Sequence, residues 1–322
     1  MRMDSNTSNK IEHTQQALRR RKRRRIQTLL IVLVMLAGAG LLLYPMAADF
    51  WNRMVQTRAV MSYNAAIADM DPFLYEQMLV SAKEYNRQLA QGKFAWKLSS
   101  EQLATYHSLL DYTGSGIMGY IEIEKLDLML PIYHGTSASV LSSSIGHLEQ
   151  TSLPVGAYSF DETVGTPTFP DGSHCALSGH RGLPSARLFS DLNLLNVGDT
   201  FTITVLNETY TYEVDQILTV LPQDVSPLQI VPGKDYCTLI TCTPYGDNTH
   251  RLLVRGVRVG TDVMTMYSYR VQSNAMQIRP VVVAPFLAVP LLPLLFLAAM
   301  LRPAKKRKDL NEIEHDQSKW IE

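Results

Sequence analysis

Cysteine is scarce in this chain: Cys175, Cys237 and Cys242 are all there are in 322 residues. Three scattered thiols are too few for a disulfide framework or a four-ligand zinc site. Net charge is also missing, since 30 basic residues balance 30 acidic ones. Internal repeats and low-complexity tracts are absent, which excludes solenoid and array architectures. No Cys-Gly-x-Cys run stands before a helical pattern, so the arrangement of a papain-like protease is not present.

The charges that do exist are unevenly placed. Arg19 to Arg25 is an unbroken basic run, and Lys305 to Lys308 is a second one. Each abuts a long apolar stretch, at 26–48 and 281–301. At about 1.5 Å per residue, about 20 residues cross a hydrocarbon core of about 30 Å. Pro285, Pro290 and Pro293 would damage a soluble helix but are tolerated in a membrane one. Basic runs beside apolar spans orient a chain in a membrane and are not nucleic-acid patches. Both lie on the terminal side of their span, so the expectation is a two-pass protein of the cell membrane. Residues 1–25 and 302–322 are then cytoplasmic tails, and everything between the spans lies outside. A cleaved signal peptide is the alternative for the first span, with Met46-Ala47-Ala48 as a poor cleavage site. The length of its apolar core favours a retained anchor.

Between the spans the hydrophobic period changes once. Residues 49–112 read as a two-helix segment broken at Asp71-Pro72-Phe73, because Pro72 disfavours helix at Asp71 and suits the first turn of a new helix. Leu74, Met78, Leu79, Ala82, Tyr85 and Leu89 then recur at helical spacing. From about residue 113 to 261 the pattern alternates in short runs bounded by turn residues. About seven short strands of this kind argue for a closed or nearly closed β-barrel. Residues 262–280 form a polar connector.

The stretch with most chemistry in it runs from Asp235 to Arg258 and reads as strand, turn, strand. Pro244 to Asn248 is turn chemistry, so a hairpin brings Cys242, at the end of one strand, near Arg251, at the start of the next. Cys237 and Cys242 differ by five positions and face opposite sides of an unbulged strand. That parity makes Cys242 the site candidate and turns Cys175 and Cys237 toward the core, where a bridge between them remains open. His180 ends another predicted strand and can exchange a proton near neutral pH. His250 alternates away from the face of Arg251, and His134, His147 and His174 lack a strand-end context. A thiol nucleophile, an imidazole acid/base and a guanidinium for an oxyanion form a complete acyl-transfer set.

Thr238 to Gly256, with Thr-Cys-Thr-Pro-Tyr-Gly at its centre and Asn-Thr-His-Arg-Leu-Leu-Val-Arg-Gly at its end, resembles the signature of the sortases, the Gram-positive surface transpeptidases. Gly179 to Ser185 resembles the family's histidine segment. Leu130 to Thr136 and Gly146 to Pro154 resemble its early barrel segments. The match is most similar to class C, the pilus-assembling branch, and covers about residues 45 to 300. The resemblance implies a mainly β fold: a sortase-like closed barrel of about eight strands with short helices, an N-terminal helical segment before it and flanking transmembrane helices. It implies Cys242 as nucleophile toward an LPXTG-like sorting signal between Thr and Gly, His180 as general acid/base and Arg251 as substrate and oxyanion stabiliser. It implies Asp71, Pro72 and Phe73 as a lid over the site; the residues themselves are suited to it, the Asp71 carboxylate for pairing with Arg251 and the Phe73 ring for covering the Cys242 sulfur, and the alternative is a helix break with a capping aspartate. The implied partners are pilin subunits bearing a sorting signal and an acceptor lysine, and the membrane; nucleic acid is not among them. No metal or organic cofactor is implied. Two other readings stand beside it: a housekeeping-type enzyme that attaches proteins to peptidoglycan, and a non-catalytic surface-anchored binding module that keeps the barrel.

Overall fold

The computed structural model describes residues 5–92, 98–156, 159–161, 166–168, 171–259 and Leu291. The connector at 262–280, the tail at 302–322 and the second apolar stretch, apart from Leu291, lie outside these residues. The chain divides into two compact units, and the one that carries the barrel runs Pro45–Ala275.

Helix α1 (Ser5–Ala68) contains the first apolar stretch and, among the described residues, is the one helix long and apolar enough to cross a membrane. Three residues separate its end from Pro72, where α2 (Pro72–Ala90) begins. The break falls where Pro72 requires it. A third helix, α3 (Ser100–Ser108), was not expected in a two-helix segment. Its signal was present in the sequence: Ser99 and Gln102 form a capping box, each side chain meeting the other's backbone N–H.

Eight strands close the barrel in the order β1-β2-β3-β6-β9-β10-β8-β7. They are β1 (Ile117–Ile123), β2 (Leu128–His134), β3 (Ile145–His147), β6 (Ser173–Ser178), β7 (Thr200–Val205), β8 (Glu208–Val220), β9 (Asp235–Thr243) and β10 (His250–Val259). Strands β4 (Ser159–Asp161) and β5 (Thr166–Thr168) form a separate pair. A short helix, α4 (Ala138–Leu141), joins β2 to β3. The mainly β fold and the barrel of about eight strands are thus as expected. Most neighbours are antiparallel, but β2 with β3 and β6 with β9 run parallel.

In β1 the alternation places Ile121 and Ile123 in the core and leaves Tyr120 and Glu122 half-buried. Strand β9 does not alternate: all of Asp235 to Thr241 is buried. Its inner face joins the main core through Cys237 and Leu239. Its outer face is covered by a second cluster of Ala176, Leu228, Ile240 and Leu253. A strand covered on both faces reads as a continuous apolar run.

The helices are fastened to the barrel by buried polar groups. The Tyr63 hydroxyl donates to Met118 O at 3.1 Å and accepts from Leu206 N at 2.8 Å. Asn86 is wholly satisfied as well: its amide donates to Leu153 O and Gly156 O at 2.9 and 2.8 Å, and its oxygen accepts from Leu153 N at 2.7 Å. Removing that amide would orphan a buried N–H, at a cost of about 1–3 kcal/mol.

Candidate active site

Cys242 and Arg251 are direct partners across β9 and β10. In an antiparallel pair, residues directly opposite share a face of the sheet, with Cβ atoms about 5 Å apart. The turn chemistry of residues 244–248 sets this register. On the other side of β9, Ser178 of β6 pairs with Ile240 in parallel, and Gly179 N donates to Ile240 O at 3.0 Å. Two more residues along both strands bring His180 level with Cys242. Cys242 and Arg251 therefore lie at the barrel end toward which the β6–β9 pairing directs His180. All three are half-buried, reachable by solvent yet partly desolvated.

Arg251 is steadied by its own turn. One terminal nitrogen donates to Asn248 O at 3.2 Å and to His250 O at 3.0 Å. Among the described residues it meets no carboxylate, so its remaining N–H groups are not committed to an ion pair. The imidazole of His180 makes no side-chain hydrogen bond within the described residues; its backbone carbonyl accepts from Phe189 N at 3.2 Å. Two glycines bound its segment for steric reasons. A Cβ at Gly179 would lie 2.8 Å from the Phe189 ring and 2.9 Å from Ile145 Cγ2. Gly182 has φ +78°, and a Cβ there would lie 2.7 Å from the Tyr245 ring.

The other cysteines and histidines have structural places. Cys175 and Cys237 are register partners across β6 and β9, both buried and both free thiols. Burial pushes the Cys237 thiol well above its usual range. His174 is held between Gln229 O at 2.9 Å and Thr238 Oγ1 at 2.7 Å, so Nδ1 donates and Nε2 accepts. Burial lowers its pKa to about 4. His147 lies between Tyr106 Oη and Ser152 O, and His134 between Gly116 O and Leu109 O. His250 pairs with Thr243, one step from the Cys242–Arg251 pair and on the opposite face, as alternation requires. Among the described residues no group of three His, Cys, Asp or Glu side chains converges as a metal would need.

The expected lid is not over this site. Asp71 caps α2, accepting from Phe73 N at 2.9 Å and Leu74 N at 3.2 Å, and makes no contact with Arg251. Phe73 is 78% exposed and does not cover the Cys242 sulfur. The first turn of α2 instead neighbours the β7–β8 turn, where the Tyr75 hydroxyl meets Glu208 Oε1 at 3.4 Å. Glu208 begins β8, whereas Val220, the partner of Arg251, ends it. At about 3.3 Å per residue, those points are the two ends of a strand roughly 40 Å long. The capping demand of a Pro-initiated helix accounts for Asp71.

Sequence reasoning singled out neither Arg181 nor the two α1 residues that reach the same loop. Arg181 donates to Thr243 Oγ1 at 3.2 Å and to Asn193 Oδ1 at 2.8 Å. From α1, Asn52 donates to Ser185 O at 2.7 Å, and Asp49 accepts from Arg187 N at 2.8 Å. The adjacency of Arg181 to His180 was the only signal available beforehand. The α1 contacts are long-range and left none.

Comparison with known proteins agrees with the geometry. The Sortase domain family matches residues 121–259. The chain is similar to the crystal structure of sortase C1 from Streptococcus agalactiae, at 52% identity and TM-score 0.58, covering 64% of this chain and 100% of that one. It is also similar to sortase C of Clostridium perfringens, solved with the C-terminal cell wall sorting motif, at 35% identity and TM-score 0.54, covering 64% and 100%. Sortase A of Streptococcus agalactiae serotype III is 26% identical over 234 residues, 70% of this chain and 81% of that one. With the crystal chain of a class C sortase covered in full at 52% identity, on a barrel of the same fold, this chain belongs to the sortase family, in class C, and is a cysteine transpeptidase.

Proposed function

We propose that the chain joins pilin subunits to one another, with Cys242, His180 and Arg251 as its catalytic residues. The observation that carries the assignment is the register: Cys242 directly opposite Arg251, with His180 two residues beyond the last β6–β9 pair, Ser178–Ile240. The Cys242 thiolate attacks the threonine carbonyl of an LPXTG-like sorting signal. Arg251 holds the oxyanion that forms. The Thr–Gly bond breaks as His180 gives a proton to the leaving glycine amine, and a thioester remains on Cys242. A lysine amine of a second pilin then attacks that carbonyl. His180 takes up its proton, the C–S bond breaks, and an isopeptide bond joins the two subunits. The Clostridium perfringens relative, solved with the C-terminal cell wall sorting motif, supports this substrate class.

The apolar part of α1, with the basic run before it, supports anchorage in the membrane. In the arrangement we propose, 1–25 is a cytoplasmic tail, 26–48 a span, 49–112 the helical segment, 113–261 the catalytic barrel, 262–280 a connector, 281–301 a second span and 302–322 a second cytoplasmic tail. The catalytic domain then faces the cell exterior. Mass spectrometry of the full chain incubated with sorting-signal peptides tests the chemistry. An acyl group on Cys242 that a pilin lysine discharges is the expected result. Discharge only by a peptidoglycan amine would move the protein to the housekeeping reading, and absence of any adduct would leave a binding module.

A further inference from the structure

The backbone ladder between β6 and β9 stops just before the catalytic positions. Its last bond is Gly179 N to Ile240 O at 3.0 Å. Two side-chain bonds carry the pairing further. Thr241 Oγ1 donates to Gly179 O at 2.8 Å, and Arg181 donates to Thr243 Oγ1 at 3.2 Å. These two bonds straddle the His180–Cys242 level, one on each side. The His180 imidazole has no hydrogen-bond partner of its own among the described residues, so its place is set by the backbone at 179–181.

Arg181 is fixed at more than one point. Its other terminal nitrogen donates to Asn193 Oδ1 at 2.8 Å, and its Cζ lies 6.0 Å from the centroid of the Tyr245 ring. Tyr245 in turn closes on the space that a Cβ at Gly182 would fill. The Nε of Arg181 is buried without an acceptor, and it is the one side-chain nitrogen or oxygen in that condition among the described residues. Structures retain few such atoms, and each calls for a reason. Here the guanidinium is stretched between two acceptors on separate segments, and Nε is what that span leaves over. Along β9, alternation turns the acceptor Thr243 away from the face of Cys242.

We propose that Arg181 is a positioning residue, which holds His180 at proton-transfer distance from Cys242 by tying the histidine segment to Thr243. The inference rests on the catalytic roles given above and adds what keeps the two groups in register. A planar fork that bridges two acceptors is a task for arginine, and lysine cannot take it over.

The test uses the full chain, a fluorogenic peptide bearing an LPXTG-like signal, and iodoacetamide alkylation of Cys242 across pH. Misplacing His180 by about 1 Å should lower kcat about 100-fold. Arg181→Gln and Thr243→Val should each show that loss with KM within about twofold of wild type, while Thr243→Ser, which keeps the hydroxyl, retains activity. The double variant should be no worse than the poorer single one, because both remove one bond. The alkylation profile of Arg181→Gln should move from that of wild type toward that of His180→Ala. An Arg181→Gln profile that superimposes on wild type, multiplicative losses, or a rise in KM alone would overturn the proposal. If Arg181→Gln does not fold, the Thr243→Val and Thr243→Ser pair decides by the same readouts. Wild-type enzyme that leaves the peptide uncut, with alkylation profiles still separated, would sink the substrate reading and leave the positioning inference standing.

Discussion

Cys242 faces Arg251 directly across the β9–β10 hairpin, and no carboxylate among the described residues competes for that guanidinium. Charge alone does not meet the demand on Arg251, because an oxyanion is best held by fixed, directed N–H groups. Arg251→Lys keeps the charge and loses the fork. We expect kcat for sorting-signal cleavage to fall about 100-fold or more, the usual range for removing an oxyanion donor. Cys242→Ala should abolish the acyl-enzyme in the mass spectrum and leave thermal unfolding unchanged. Near-wild-type turnover of Arg251→Lys would reduce the requirement to a generic positive charge.

The three cysteines should differ in access. Cys242 is half-buried, whereas Cys175 and Cys237 are buried and face each other across β6 and β9. Titration with an aromatic disulfide should release one equivalent from the native protein and three after denaturation. One equivalent in both states would mean that Cys175 and Cys237 are bridged.

Asp71 should behave as a helix cap. Asp71→Ala removes the acceptor for Phe73 N and Leu74 N and should cost about 1 kcal/mol of stability. Alkylation of Cys242 in that variant, and in Phe73→Ala, should run at the wild-type rate. Faster labelling in either would restore a gating role for the triplet.

The loop after His180 is held from the side of α1. Asn52→Ala and Asp49→Ala each remove one bond to its backbone, at Ser185 O and Arg187 N. Each should cost about 1 kcal/mol and speed limited proteolysis between 183 and 187. Asp49→Asn keeps an acceptor oxygen and should lose less. Cleavage rates that do not move would show that the loop is held elsewhere.

Acid should weaken the fold through His174. Its ordinary value of 6.5 is lowered to about 4 by burial, so the native ring refuses a proton that the unfolded chain accepts. The unfolded state binds more protons between those values. Stability is therefore present in full above pH 6.5 and lost as pH falls toward 4. The loss amounts to about 3 kcal/mol at most. The carboxyls of Asp235 and Glu122, both raised by burial, act in the opposite direction. Urea unfolding of wild type against His174→Gln isolates the histidine. Parallel stability–pH curves for the two would exclude it as the source.

Much of this architecture was legible in the sequence because local signals agreed. Pro72 dated the helix break, turn residues marked the β9–β10 hairpin, and five-residue parity separated Cys242 from Cys237. What escaped notice depended on long-range pairing. Strand β3 is three residues long and has no period to display, and β6 meets β9 in a parallel contact that no neighbouring residue announces. The place of Asp71-Pro72-Phe73 in the fold is not legible locally for the same reason. A triplet can advertise its cap, but only tertiary packing says which end of the barrel it stands at. Arg181 carries no local pattern of its own beside His180, and its partners Thr243 and Asn193 are distant in sequence.

The parallel contact between β6 and β9 also bears on when this chemistry exists at all. Thr241 and Gly179 touch, although 62 residues separate them, and nothing shorter than closure of that whole loop can bring them together. Non-local pairing of this kind forms slowly compared with local contacts. Until it is complete, position 242 carries a lone thiol with no imidazole at its side. The closure that sets Gly179 against Thr241 is thus also the one that brings the imidazole toward the thiol.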